Sequence, residues 1–141
     1  MDLKGRNLRT SKWSEPSEGV HFELGATTHV THQGFNQESS RDKNIIVDTP
    51  DLPKAVRPGD IIAFNDGEFG AVVLEVAAEF IRVQFKEEGT ILPGKSVRIP
   101  GHRLSSLPVL SNEDKSRIME FAVGFKMDYV CVPNVTSVKD I

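Results

Sequence analysis

The chain has 141 residues and a formal net charge of −3, with 38% hydrophobic and 26% charged residues, the make-up of one ordinary globular domain. This acidic balance offers no global basic field to hold nucleic acid or an anionic membrane, and no stretch approaches the ~20 apolar residues of a membrane span. Met1-Asp-Leu-Lys-Gly-Arg-Asn7 is too polar for a secretory signal, so a cytoplasmic, reducing setting is expected.

The first 43 residues are polar and weakly patterned, with two short strand candidates at Val20–Leu24 and Thr27–Thr31 and a loop at 33–43. From Asn44 the pattern sharpens. Ile45–Val47 is a short apolar strand, and Arg57-Pro-Gly-Asp60 has the chemistry of a type II turn. Ile61–Phe64 follows as a strand. Asn65-Asp66-Gly67 tolerates the left-handed backbone of a tight turn. Gly70–Val76 and Phe80–Phe85 are rich in Val, Ile and Phe, Glu87-Glu88-Gly89 breaks the run, and Val97–Ile99 ends at Pro100-Gly101. Short strands with frequent turns predict a small barrel or sandwich.

The period then changes. Ser111-Asn-Glu-Asp114 reads as a capping box, and Ile118, Phe121, Ala122 and Phe125 share one helical face. A strand is expected at Tyr129–Val132, with Cys131, the only cysteine, as small buried filler. Ser137 is a candidate N-cap for a further helix. One helix and one strand cannot cover each other on all sides, so this αβ ending is expected to belong to a larger α/β domain.

Several stretches in order resemble the pyruvate kinase family. Asp2-Leu-Lys-Gly-Arg-Asn-Leu-Arg-Thr10 resembles the family's D-T-K-G-P-E-I-R-T, and Asn44-Ile-Ile-Val-Asp48, Leu52-Pro53 and Val56-Arg-Pro-Gly-Asp60 continue the match. Asn65-Asp66-Gly67 resembles its D-D-G turn, Lys95-Ser-Val-Arg-Ile-Pro-Gly101 its K-G-V-N-L-P-G, and Leu107-Pro-Val-Leu-Ser-Asn-Glu-Asp-Lys115 its L-P-A-L-T-E-K-D. The resemblance implies a mainly β chain with an α/β flank, a small β-barrel lid domain inserted in a partial (β/α)8 barrel. Residues 1–11 would be the end of a barrel strand and a hinge, 12–103 the lid, and 104–141 an incomplete return into the barrel through a helix and a strand.

The family moves a phosphoryl group from phosphoenolpyruvate to ADP, giving pyruvate and ATP in glycolysis, with Mg²⁺ and usually K⁺. By resemblance, Arg9 contacts the nucleotide phosphates, Lys95 reaches the nucleotide when the lid closes, and Asp66 lies near nucleotide and metal. A guanidinium fork suits phosphate oxygens. Asp2 and Leu3 align with K⁺ ligands, but Leu3 replaces a threonine and keeps only a backbone oxygen for a hard cation. Arg6-Asn7 stands for Pro-Glu, Asn65 for the first aspartate of D-D-G, Pro133-Asn134 for Ser-Phe, and Thr136 for an arginine. The resemblance puts the catalytic lysine and two Mg²⁺ carboxylates beyond Ile141, and the substrate arginine and two K⁺ ligands before Met1. No residue here is then expected to be catalytic, the phosphoenolpyruvate site is expected to be incomplete, and turnover by this chain alone is not expected. The alternative is a non-catalytic relative that binds nucleotide or a partner, including a full-length pyruvate kinase.

Other chemistries fit poorly. His29 and His32, three apart on a strand, face opposite sides and cannot share a metal. Trp13 with Lys4, Arg6, Arg9 and Lys12 lacks the aromatic stacking set of a nucleic-acid binder.

Overall fold

The computed structural model describes residues 1–11, 18–32, 44–100 and 107–140. The expected loop at 33–43, together with Lys12, Trp13 and His102, lies outside them. The chain forms two compact units, one of residues 8–103 and one of residues 1–7 with 104–141.

The first unit is built from β1 (Leu8–Arg9), β2 (Val20–Phe22), β3 (Thr27–His32), β4 (Ile45–Val47), α1 (Leu52–Ala55), β5 (Ile61–Phe64), β6 (Phe69–Val76), β7 (Phe80–Phe85), β8 (Gly89–Ile91) and β9 (Ser96–Val97). Five strands form one sheet in the order β4-β3-β7-β6-β5, with only the β3–β4 pair parallel. The turn before β5 forms as its residues dictate: Gly59 takes φ +92°, and the Asp60 amide donates to the Arg57 carbonyl at 3.1 Å.

β1 and β9 pair antiparallel as a separate ribbon. Beyond the ribbon, Thr10 bridges Val47 of β4 and Arg98 bridges Ala63 of β5. The ribbon thereby joins both edges of the five-stranded sheet, and the ladder runs in a closed circuit. This is a small barrel, in which the ribbon covers both edges of the five-stranded sheet.

Period-2 alternation fills the barrel interior. Ile62, Phe64, Ala71, Val73, Ile81, Val83 and Phe85 are buried, while their neighbours Ile61 and Arg82 face out. β2 and β8 pair with each other, and Phe22 stacks on Phe85 with ring centroids 4.5 Å apart. Each buried Val, Ile or Phe side chain contributes about 1.5–3 kcal/mol through its burial. β8 and α1 were not expected from the sequence.

The second unit relies on polar contacts. α2 (Asn112–Arg117) starts with the expected capping box: the Asp114 amide donates to Ser111 Oγ at 3.0 Å and the Ser111 amide to Asp114 Oδ2 at 3.1 Å. The helix then widens into a π-helical stretch, Ile118–Val123. Of its apolar face only Ala122 is buried, whereas Phe121 and Phe125 are exposed and stack on each other.

The strand expected at Tyr129–Val132 does not form. It has one neighbour, and pairing is limited to a parallel bridge between Asp2 and Cys131. Cys131 is consequently exposed, where burial was expected. Ser137 does not start a helix through its side chain either. Asp140 instead accepts the amides of Thr136 (2.8 Å) and Ser137 (2.9 Å) around a single 3₁₀ turn, Val138–Asp140.

Arg6 is the centre of this unit. Its buried guanidinium forms a two-pronged pair with Asp140 (2.8 and 2.7 Å) and donates to the Leu107 carbonyl (2.8 Å) and Thr136 Oγ1 (2.6 Å). These bonds from Arg6 lead the interactions that hold the Asp140 carboxyl well below the usual carboxylate range. Burial would raise the Asp114 carboxyl, but hydrogen bonds from Ser111 and from the Lys4 and Gly5 amides outweigh it and lower it.

Both carboxylates therefore add stability that is complete above roughly pH 4 and is lost as the pH falls through their depressed folded values. Amide hydrogen exchange is expected to show the 107–140 segment opening more readily at pH 2.5 than at pH 6, and Asp140→Asn is expected to weaken that dependence. Identical protection at both pH values would contradict it. Limited proteolysis is expected to leave residues 8–103 while cleaving near Phe121–Tyr129; equal resistance along the chain would contradict the separation into units.

Candidate functional site

The β1–β9 ribbon places the site. Leu8 opposes Val97 with both side chains buried, so the next pair, Arg9 opposite Ser96, faces outward. The Arg9 guanidinium donates to the Gly94 carbonyl at 3.0 Å. Its amide donates to Asp48 Oδ1 (3.0 Å), and the Asp48 amide returns a bond to the Arg9 carbonyl (3.0 Å).

The turn after β5 supplies the third component. Asn65, Asp66 and Gly67 all take positive φ (48°, 64° and 106°). This carries Asp66 toward β9, where Oδ1 accepts the Ser96 amide at 3.3 Å and Oδ2 lies 3.7 Å from Lys95 Nζ. The structure thus brings Arg9, Asp66 and Lys95 together. Side-chain and backbone hydrogen bonds from Ser96 lower the Asp66 pKa, with Lys95 and then Arg9 adding to them. Lys95 and Asp66 are about half exposed (46% and 55%), so their ion pair is weak and the ammonium stays available to a ligand. The Arg9 guanidinium and the Lys95 ammonium, side by side on an open surface, suit an anion with several oxygens.

Two buried polar side chains fix the loop that carries Lys95. Thr10 Oγ1 donates to the Leu92 carbonyl (2.7 Å) and accepts the Lys95 amide (3.0 Å), while its backbone bonds Gly94 and Lys95. Asn65 donates from Nδ2 to the Thr90 carbonyl (2.8 Å) and accepts the Leu92 amide on Oδ1 (3.0 Å). An aspartate at 65 could accept but not donate. The asparagine that removes a charge from the turn is therefore a structural clamp. Sequence reasoning missed Thr10, Ser96 and this role of Asn65, since hydroxyls and amides in turns carry no pattern that reveals a distant partner.

Asp2 and Leu3 belong to the other unit. Asp2 is exposed, and Leu3 is buried with its amide on the Cys131 carbonyl at 3.0 Å. The Leu3 side chain offers no ligand, and among the described residues no three His, Cys, Asp or Glu side chains gather as a metal site. In the barrel unit, a cavity of about 230 Å³ lined by Ser11, His32, Val47, Asp48 and Pro50 lies on the Asp48 side of Arg9.

The family model described as pyruvate kinase, barrel domain, matches residues 1–141. The chain belongs to the pyruvate kinase family. It is 29% identical to the pyruvate kinase of Corynebacterium efficiens over 140 residues, covering 99% of this chain and 28% of that protein. It is 27% identical to that of Eimeria tenella, covering 100% of this chain and 26% of the relative. The chain therefore spans about a quarter of the length of these pyruvate kinases. Among solved structures, Cryptosporidium parvum pyruvate kinase in complex with ADP matches with a TM-score of 0.73 and 27% identity, over 99% of this chain and 27% of that one. A second structure of the same enzyme gives a TM-score of 0.77 at 26% identity, over 99% and 28%. The mainly β barrel expected for a pyruvate kinase relative is thus present.

Asn65→Asp is expected to destabilise the barrel by about 1–3 kcal/mol, because the Thr90 carbonyl loses its donor and a carboxylate enters a buried position. Urea unfolding at pH 7 measures this, and an unchanged midpoint would show that the clamp does not matter.

Proposed function

We propose that the chain is the nucleotide-covering lid of a pyruvate-kinase-type phosphotransferase, an activity that moves a phosphoryl group from phosphoenolpyruvate to ADP and yields pyruvate and ATP. Residues 12–103 act as the lid, with 1–11 and 104–141 as its connections to the main barrel. The convergence of Arg9, Lys95 and Asp66 on one outward face carries this reading. Arg9 offers a planar donor fork to phosphate oxygens and Lys95 a mobile point charge. Asp66, ionised throughout the physiological range, aligns Lys95 until an anion replaces it. A lid that closes over the nucleotide also excludes water from the transfer.

Magnesium would arrive with the nucleotide, since Mg²⁺ is commonly held by substrate phosphates and one or two carboxylates. Of the potassium ligands the resemblance implies, the Asp2 carboxylate and the Leu3 backbone carbonyl would be supplied here, and no step is assigned to the ion. A cytosolic setting is proposed from the family; one relative, in Arabidopsis thaliana, is named a probable cytosolic isozyme. No helix among the described residues is long and apolar enough to cross a membrane.

A second reading is a nucleotide binder without turnover that works beside a full-length pyruvate kinase. The buried, ligand-poor Leu3 favours it.

Calorimetric titration with Mg-ADP tests the shared claim. Binding is expected, with Arg9→Gln and Lys95→Gln each weakening it about tenfold. Absence of binding, or affinity indifferent to both substitutions, would overturn it. Pyruvate formation from phosphoenolpyruvate and Mg-ADP, abolished by Lys95→Ala, would favour the enzyme over the second reading.

A further inference from the structure

We infer that Arg98 is a third phosphate-contacting cation of this site and favours ligands with two or more phosphates over monophosphates. The inference rests on the nucleotide reading above and extends it to a residue that the family pattern does not supply, since Arg98 stands where K-G-V-N-L-P-G has asparagine.

The backbone fixes where Arg98 lies. Its amide donates to the Ala63 carbonyl at 2.7 Å, and its carbonyl accepts the Ala63 amide at 2.9 Å. Val97 and Ile99 on either side are buried, so Arg98, just past β9, points outward with Ser96, two residues earlier. Ser96 is the cross-strand partner of Arg9, which makes Arg9 and Arg98 diagonal neighbours on one face, within reach of long side chains.

The Arg98 side chain lies over Gly67, the residue next to Asp66. A Cβ at Gly67 would sit 3.2 Å from the guanidinium and 3.7 Å from Cδ. Gly67 also has φ +106°, so glycine serves both the turn and the approach of the arginine.

Charge and pairing give the chemistry. Arg9 already donates to Gly94 and Lys95 already faces Asp66. The Arg98 guanidinium has no hydrogen bond or ion pair with the described residues, and the fold leaves its donors to a ligand. Arg98, lying over Gly67, adds a third cation to the face that carries Arg9, Lys95 and Asp66, against the two carboxylates Asp66 and Asp48. That excess suits a ligand with several negative charges, and the spread from Arg9 to Arg98 suits a chain of phosphates better than a single one.

The test compares wild type, Arg98→Gln and Arg9→Gln in titrations with Mg-ADP, AMP and inorganic pyrophosphate, with thermal unfolding of each variant recorded without ligand. Arg98→Gln is expected to weaken ADP and pyrophosphate binding about tenfold, to change AMP binding less than threefold, and to flatten the salt dependence of ADP binding, with little change in Tm. Retained wild-type affinity for ADP and pyrophosphate in Arg98→Gln, while Arg9→Gln weakens both, would overturn this inference alone. Equal weakening for AMP and ADP would also overturn it, because Arg98 would then act on the fold or on the nucleoside. Failure of wild type to bind either ADP or pyrophosphate would overturn this inference and the nucleotide reading together.

Discussion

Closure of the small barrel by the β1–β9 ribbon is the constraint on which the rest depends. A five-stranded sheet of this size has two edges, each a row of unpaired amides and carbonyls. The ribbon engages both through Thr10 on β4 and Arg98 on β5. Because side chains alternate across a strand, burying Leu8, Val97 and Ile99 inside forces Arg9, Ser96 and Arg98 outside. A one-residue slip of the ribbon would send the cations into the core. The geometry of the cluster is thus a by-product of packing, and the energy that holds it in place comes from apolar burial several ångströms away.

Polar atoms then refine what packing allows. Thr10 and Asn65 hold the segment from Thr90 to Lys95 by its own backbone, so Lys95 is presented by a loop that behaves like part of the barrel. The same logic recurs in the unit of residues 1–7 and 104–141, where Arg6 and Asp114 tie chain segments that have little apolar surface in common. A buried guanidinium is costly unless most of its donors are satisfied. Arg6 meets that condition with Asp140, Leu107, Thr136 and Asn134, although a proline was the family pattern at its position.

How much of this was legible in the sequence depends on the range of the interaction. β5, β6 and β7 were readable because alternation and turn chemistry are local, and the Ser111 capping box was readable for the same reason. β8 was missed because Gly89 looks like a breaker and its partner β2 lies far back in the chain. The segment 129–132 has the composition of a strand, yet it forms a single bridge beside Met1–Leu3, since composition cannot supply neighbours. Arg9, Lys95 and Asp66 were identified through collinear family motifs, and only the pairing register shows that they meet. The clamping roles of Thr10 and Asn65 required three dimensions.

The most direct test of the account is a map of amide chemical shifts on titration of the ¹⁵N-labelled chain with Mg-ADP. The largest changes are expected on residues 8–10, 65–67 and 94–98, with the interior strands β6 and β7 nearly unmoved. Changes centred elsewhere, or none at saturating nucleotide, would contradict the claim that barrel closure builds a nucleotide site.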